Sequence, residues 1–201
     1  MTLPLKKKMS SPEELRNQAE TARKGKNYVE AADLYSNLLA EIYSDDQPLS
    51  VQICKDFVHY AECLLNTGEN DEDTFETIWE VLENARVGYE KMKEEDRPAE
   101  GLIDVHELLG ELSLKRLDLE EAVSQYQQSS ELALANPNLS WRIPLNSLFM
   151  KATALNYLGK LPEYRDALDK AINFIDEEKA KPKNAADIKA MDEIRADFVN
   201  R

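Results

Sequence analysis

The sequence has few of the residues that build sheets, disulfides and catalytic centres. It contains six glycines, two cysteines and two histidines in 201 residues, and it lacks the alternation of β-branched residues that indicates strands. Neither histidine lies in a nucleophile motif, so there is no basis for a catalytic triad. A phosphate-binding glycine loop and a zinc-binding His-Glu-x-x-His pair are also missing. The sequence therefore predicts a helical protein that is not an enzyme and that needs no cofactor or metal ion.

Cysteine usage and hydropathy limit where such a protein would work. Cys54 and Cys63 are nine residues apart, which places them on opposite faces of a helix and prevents a bridge within it. Two unpaired cysteines favour a reducing, intracellular compartment. No apolar run approaches the length that spans a membrane, and the N-terminus has no signal-peptide core. We therefore expect no membrane partner.

Negative charge is abundant and clustered. The net charge is −14, and no basic residue occurs between Lys55 and Arg86. This charge repels nucleic acid and anionic membranes, and it raises the encounter rate with cationic proteins. We therefore expect a basic protein partner and no direct binding to nucleic acid. The carboxylates of the stretch are Asp56, Glu62, Glu69, Asp71, Glu72, Asp73, Glu76, Glu80 and Glu83.

Apolar residues recur every three and four positions, and the helices that this spacing predicts form an internal repeat. In each copy a small residue is followed by two residues at fixed offsets of 12 and 16. Small residues at such positions let two antiparallel helices approach closely. The three copies lie at Ala19, Ala31 and Tyr35; at Gly110, Ala122 and Tyr126; and at Ala152, Tyr164 and Leu168.

A fourth copy is interrupted. Ala61 has its partners at Ala85 and Tyr89, and its separation from Ala85 is 24 residues instead of 12. The extra residues predict a short acidic insert at about 69–78, after which Trp79 begins the apolar stripe of a lengthened helix. Trp79 itself is expected in the core or as a staple residue.

These offsets are those of the tetratricopeptide repeat. The predicted fold is an all-α tetratricopeptide-repeat solenoid: four helix pairs, the second interrupted, and a capping helix at about 185–199. That helix carries an apolar stripe of Ile188, Met191, Ile194 and Phe198, which would cover the last repeat. Residues 1–11 are expected to be a flexible basic tail, and 12–201 a single domain.

The interrupted second repeat resembles the NASP family (nuclear autoantigenic sperm protein, with the fungal Sim and Hif proteins). The resemblance covers roughly residues 12–198. It is carried by Leu109-Gly110-Glu111 followed by Ala122-Val123, by Tyr60-Ala61 running into Leu64-Leu65, and by Trp79. It implies a histone chaperone that binds histone H3 and H3–H4, located in the nucleus and shared with the cytoplasm. A homodimer, the histone variant and the choice between H3 alone and H3–H4 are left open.

The first helix of each tetratricopeptide pair lines the concave face, and the residue after the small position points into it. This places an acidic strip of Glu62, Asp104, Glu107 and Glu111 in the groove, where it could hold a partner's arginine through charge-assisted bonds. Of these, the family resemblance itself implies only Glu111. The alternative is that each is an ordinary solvated residue. Further candidates are Phe149, Asn156 and Tyr157 at the far end of the groove, and Asp71, Glu72 and Asp73 in the insert.

The alternative function is a tetratricopeptide scaffold or adaptor for another basic protein or peptide. One adaptor class grips acidic chain termini of heat-shock chaperones and needs an asparagine after the first small residue. This chain has Glu20 there, which would repel a carboxylate.

Overall fold

The computed structural model describes residues 11–44 and 48–201, and all regular structure in these ranges is helical. They form nine α-helices and one short 3-10 helix, so the expected helix count is confirmed for this part of the chain. The predicted basic tail lies outside the described residues except for Ser11. The chain divides between Arg97 and Pro98 into two compact units, here called unit 1 and unit 2.

Unit 1 contains two helix pairs. The helices are α1 (Pro12–Lys24), α2 (Tyr28–Ile42), α3 (Val51–Asn66) and α4 (Glu72–Lys91), followed by the 3-10 helix Glu94–Asp96. Helix α1 begins with a capping box, in which the Ser11 hydroxyl accepts from the Glu14 amide and Glu14 accepts from the Ser11 amide. Pro12 occupies the first helical position, where its missing N–H costs nothing.

Unit 2 contains two further pairs and a final helix. The helices are α5 (Gly101–Lys115), α6 (Leu119–Leu134), α7 (Arg142–Tyr157), α8 (Leu161–Lys179) and α9 (Ala185–Val199). Met191 and Phe198 of α9 are buried in one cluster with Trp141, Leu145 and Leu148 of the preceding pair, so α9 covers the apolar face of the last pair. Ile188 was also expected on this face, but it is 37% exposed.

The small residues of the repeat mark close helix contacts, as the sequence predicts. Ala19 and Ala31 are fully buried beside Tyr35 in the core of the first pair. In the third pair a Cβ atom at Gly110 would lie only 2.7 Å from the Tyr126 ring. Helices α5 and α6 can adopt this spacing because position 110 has no side chain.

The turns within the pairs need one residue in the left-handed region. Gly159 has φ +75° between α7 and α8, as expected of a glycine there. The equivalent role between α1 and α2 falls to Lys26 (φ 60°), whereas Gly25 is right-handed with φ −77°. The left-handed residue of this turn is therefore a lysine and not the neighbouring glycine.

The acidic insert is mostly helix. Helix α4 begins at Glu72, so Glu72 and Asp73 lie in its first turn and not in a loop. Its apolar face starts at Phe75 and Ile78, both buried, and Trp79 is half exposed. The insert was expected to reach about residue 78, but helix already begins at Glu72, since acidic residues are favourable in the first turn of a helix. The expected burial of Trp79 is also wrong, because the apolar stripe falls one position earlier, at Ile78.

Candidate partner-binding site

In unit 1 the one acidic residue of the predicted strip, Glu62, is paired with an arginine of the chain itself. Arg23 donates from Nε and Nη2 to the two carboxylate oxygens of Glu20, each at 3.0 Å. Its third nitrogen, Nη1, donates to Glu62 Oε2 at 2.7 Å. Glu62 was predicted to face a partner's arginine, but the chain's own Arg23 already holds that position. Glu62 is therefore a poor first contact for a partner.

The same network extends to an aromatic pair. The Tyr35 hydroxyl donates to Glu20 Oε2 at 3.0 Å and lies 3.2 Å from His59 Nδ1. Hydrogen bonds from Arg23 hold the pKa of Glu20 down at about 2. Burial raises the pKa of Tyr35 and lowers that of His59, so Glu20 is the ionised member of this trio at neutral pH.

One turn before Glu20, a partly buried ion pair joins α1 to α3. Arg16 donates to Asp56 from Nε at 3.1 Å and from Nη2 at 2.7 Å. Gln52 adds a bond to the same carboxylate at 3.0 Å. The Asp56 side chain is 1% exposed, so its charge depends on these partners.

The repeat places different residues at the equivalent points of unit 2. When Ala19 is aligned with Gly110 and Ala61 with Ala152, Glu20 corresponds to Glu111 and Tyr35 to Tyr126. Leu114 then takes the place of Arg23, and Glu107 that of Arg16. Unit 2 thus keeps the acid and the tyrosine of the unit 1 network but carries neither of its arginines.

Tyr126 differs from Tyr35 in its hydrogen bonding. It is 1% exposed and packs over Gly110, yet its hydroxyl makes no hydrogen bond to any residue that the structure describes. Burial raises its pKa, and the charges of Glu111 and Glu107 raise it further. The hydroxyl therefore lies buried and protonated in the field of two carboxylates.

Glu107 joins three helices through uncharged partners. Ser147 donates to Glu107 Oε1 at 2.6 Å, and Asn146 donates to Oε2 at 3.1 Å. Ser129 of α6 completes the cluster, with its hydroxyl 2.8 Å from that of Ser147. Ser147 corresponds to Asp56 in the repeat alignment, so the pair of opposite charges in unit 1 becomes a carboxylate held by hydroxyl and amide groups.

The remaining predicted residues lie in separate places. Asp104 is exposed on α5, one turn before Glu107. Phe149 is half-buried on α7 and stacks on Phe198 with 5.4 Å between ring centroids. Asn156 and Tyr157 are both exposed at the end of α7.

The insert residues have a structural role at the start of α4. The Asp71 side chain caps α4 by accepting from the Thr74 amide at 2.9 Å and from its hydroxyl at 2.8 Å. Those bonds hold the pKa of Asp71 below its usual range. Glu72 and Asp73 are exposed beside it, at the helix end where negative charge is favourable.

Sequence reasoning found the acids of α5 but missed what surrounds them. The structure brings Glu107 together with Asn146 and Ser147. It pairs Glu62 with Arg23. The signal for Arg23 was present, because Glu20 and Arg23 are three residues apart and so face each other on a helix. The contact from Arg23 to Glu62 spans two helices and has no local signature.

Solved structures of two helical repeat proteins are similar to this chain. One is the yeast histone chaperone Hif1, described as a scaffold that recruits protein complexes to core histones. It is 12% identical, with a TM-score of 0.67, over 93% of this chain and 94% of Hif1. The other is a putative kinesin light chain of Podosopora anserina with nearly identical TPR-like repeats. It is 20% identical, with a TM-score of 0.67, over 96% of this chain and 88% of that one.

At these identities the similarity establishes the fold. The predicted all-α tetratricopeptide-repeat class is confirmed, because the described residues are helical and both similar structures are helical repeat proteins. No family model and no curated protein sequence matches the chain.

Residues 11–44 and 48–201 also bear on two other classes of site. No three His, Cys, Asp or Glu side chains in these ranges are grouped so that they could hold a metal ion. No helix in the same ranges is both long and apolar enough to cross a membrane.

Proposed function

We propose that this protein is a histone chaperone that binds histone H3, or H3 with H4, and acts in the nucleus in histone supply and chromatin assembly. The observation that carries the proposal is the similarity of the fold to that of the yeast histone chaperone Hif1, in a chain whose net charge is −14. The contact we propose is at Glu111 on α5: Glu111 and Tyr126 occupy the repeat positions of Glu20 and Tyr35, and Leu114 occupies that of Arg23.

Unit 1 serves as an internal template for the proposed contact. The Glu20 carboxylate there takes a guanidinium group in the forked geometry that favours arginine over lysine. We propose that a partner's arginine contacts Glu111 in the same forked geometry. The nearby Glu107 carboxylate adds negative potential to that position.

The partner's chemistry follows from the charge of the chain. A net charge of −14 disfavours DNA and favours basic proteins, and core histones are basic and rich in arginine. The similar structure of Hif1, a histone chaperone, supports this choice among basic proteins. A scaffold for another basic protein is the second candidate, favoured by the similarity to the putative kinesin light chain.

The direct test measures H3–H4 binding by titration calorimetry at moderate salt for Glu111→Arg. A charge-assisted hydrogen bond contributes about 1.5–3 kcal/mol, so the variant should bind at least about tenfold more weakly. Asp104→Arg, at an exposed position two turns earlier on α5, should lose less. Glu177→Arg, on an exposed position of α8, makes the same change in net charge and should have a small effect.

Specificity separates the two candidates. The chain should bind H3–H4 more tightly than polylysine and should not bind naked DNA. Equal affinity for polylysine would reduce the interaction to nonspecific charge and would contradict the histone proposal. Tight binding of another basic protein with no binding of any core histone would favour the scaffold.

The acids at the start of α4 form a second, weaker candidate surface. Because Asp71 caps the helix, the suitable variant keeps it and changes Glu72→Gln with Asp73→Asn. Exposed charges are screened by salt and contribute little to affinity. This variant should therefore slow association and flatten its salt dependence, with a smaller loss of affinity than Glu111→Arg.

A further inference from the structure

An apolar groove of about 540 Å³ runs between α7 and α9 in unit 2. Its apolar lining comes from Trp141, Leu145 and Phe149 on the side of α7, and from Ile194 and Phe198 on α9. The groove is continuous with the candidate site, because Asn146 also lines it and donates to Glu107.

Two of the chain's own arginines lie on aromatic rings along this groove. The Arg201 guanidinium is 5.1 Å from the centre of the Phe149 ring, and its Nε donates to Asp197 at 2.9 Å. The Arg142 guanidinium is 4.1 Å from the Trp141 ring centre and donates to Asp187 at 2.9 Å. Each arginine therefore combines an aromatic face with a carboxylate, which are the two groups that recognise a guanidinium ion.

We infer that this groove binds an arginine-bearing amphipathic segment of a basic protein, whose arginine replaces Arg201 over Phe149 and on Asp197. Apolar residues of the same segment would fill the groove beside Leu145 and Ile194. The inference rests on the proposed function for the identity of the partner, whereas its chemistry rests on the groove alone. Arg201 acts as an intramolecular competitor for the site.

The charges favour this occupant over an acidic one. The Arg201 and Arg142 guanidinium groups are paired with Asp197 and Asp187, and Glu193 adds a carboxylate to the lining. The Arg201 pair is also weak, because about half of each side chain is exposed. An incoming arginine can therefore displace Arg201 at small cost, and the chain's net charge of −14 attracts it.

The groove contains its own spectroscopic reporter. The chain has two tryptophans; Trp141 lines the groove, and Trp79 is a half-exposed residue of unit 1. The Trp79→Phe variant of the full chain leaves Trp141 as the only tryptophan. The probes are three synthetic helical peptides that combine leucine with arginine, with lysine or with glutamate.

The arginine peptide should change the emission of Trp141, and the lysine peptide should bind more weakly because lysine lacks the planar fork and stacks less well. Arg201→Ala should tighten binding of the arginine peptide about threefold to tenfold, since it removes one exposed ion pair and one cation–π contact. A gain of affinity cannot come from unfolding. Lys170→Ala removes the same charge from an exposed pair on α8 and should change affinity by less than about twofold.

Three results would overturn the inference. The first is an unchanged Trp141 emission while calorimetry detects binding of the arginine peptide. The second is an Arg201→Ala variant that binds the arginine peptide no more tightly than Lys170→Ala does, and the third is tighter binding of the glutamate peptide than of the arginine peptide. H3–H4 titrations of the same variants separate the groove from the proposed function. Histone binding that Arg201→Ala leaves unchanged would refute the groove and leave the histone proposal standing. Peptide binding with these signatures, without binding of any core histone, would refute the histone proposal and leave the groove standing.

Discussion

Units 1 and 2 are built on the same repeat, but they differ in the residues that lie at equivalent charged positions. In unit 1 helix α1 contains two arginines, Arg16 and Arg23. Each is paired with carboxylates inside the unit. In unit 2 the equivalent positions are Glu107 and Leu114. In unit 1 Asp56, Glu20 and Glu62 are therefore paired with arginines, whereas in unit 2 Glu107 is held by hydroxyl and amide donors.

This difference teaches that an acidic residue at a tetratricopeptide position is not by itself a binding residue. Glu20 and Glu111 occupy the same repeat position, but Arg23 uses Glu20 to stabilise the fold. What distinguishes the two is the residue three positions later, arginine in one case and leucine in the other. Four sets of variants test how far the comparison holds.

The largest effect is expected at the equivalent pair Asp56 and Ser147. Asp56→Ala leaves the partly buried Arg16 without its carboxylate and should lower the free energy of unfolding by about 3 kcal/mol, the lower end for broken buried pairs. Ser147→Ala removes a neutral donor to Glu107 and should cost about 1–2 kcal/mol. Urea unfolding monitored by circular dichroism measures both, and equal losses would contradict the contrast between the units.

Gly110→Ala tests the close approach of α5 and α6. Helix propensity alone would favour alanine by about 1 kcal/mol. A Cβ 2.7 Å from the Tyr126 ring should outweigh this gain and destabilise unit 2 by about 1–2 kcal/mol. Ala19→Gly in unit 1 makes the reverse change and should cost about 1 kcal/mol. If the Gly110→Ala chain melts at a higher temperature, the contact is looser than described.

Exchanging the arginine between the units sharpens the comparison for binding. Leu114→Arg places an arginine where Arg23 stands relative to Glu20, so it should compete with a partner's arginine for Glu111 and weaken H3–H4 binding by about 1.4 kcal/mol, or tenfold. Leu114→Gln is the control for the loss of the leucine side chain. Arg23→Leu should tighten binding, since it leaves Glu20 and Glu62 available. Calorimetric titration measures both changes in affinity. If the Leu114→Arg chain binds H3–H4 as tightly as the Leu114→Gln chain, the Glu20–Arg23 contact of unit 1 is not a model for histone binding at Glu111.

The smallest effect is the acid dependence of unit 1. Arg23 holds the pKa of Glu20 at about 2, below its ordinary value of 4.5. The resulting stabilisation is therefore present above pH 4.5 and is lost as the pH falls toward 2. Because Glu20 is partly exposed, we expect a contribution of about 1 kcal/mol. Glu20→Gln should flatten the decline of stability across this range, and an unchanged acid limb would contradict the assignment.

The sequence by itself determined the class of fold and most of its elements. Small residues at Ala19, Ala31, Gly110 and Ala122 recur at fixed offsets because two helices can touch only there. The apolar stripe of α9 predicted a helix that covers the last pair, and Met191 and Phe198 are buried on it. The acids of α5 and their helical face were also readable, because periodicity is a local property of the chain.

Only the tertiary structure decided which acids are already bound and which aromatics are available. The contacts of Arg23 with Glu62, Ser147 with Glu107 and Arg201 with Phe149 join residues that no local spacing relates. The start of α4 at Glu72 and the exposure of Trp79 depended on a balance between helix capping and packing that the insert's composition does not reveal. A charge's role is set by the groups around it in space, and the sequence orders those groups only along the chain.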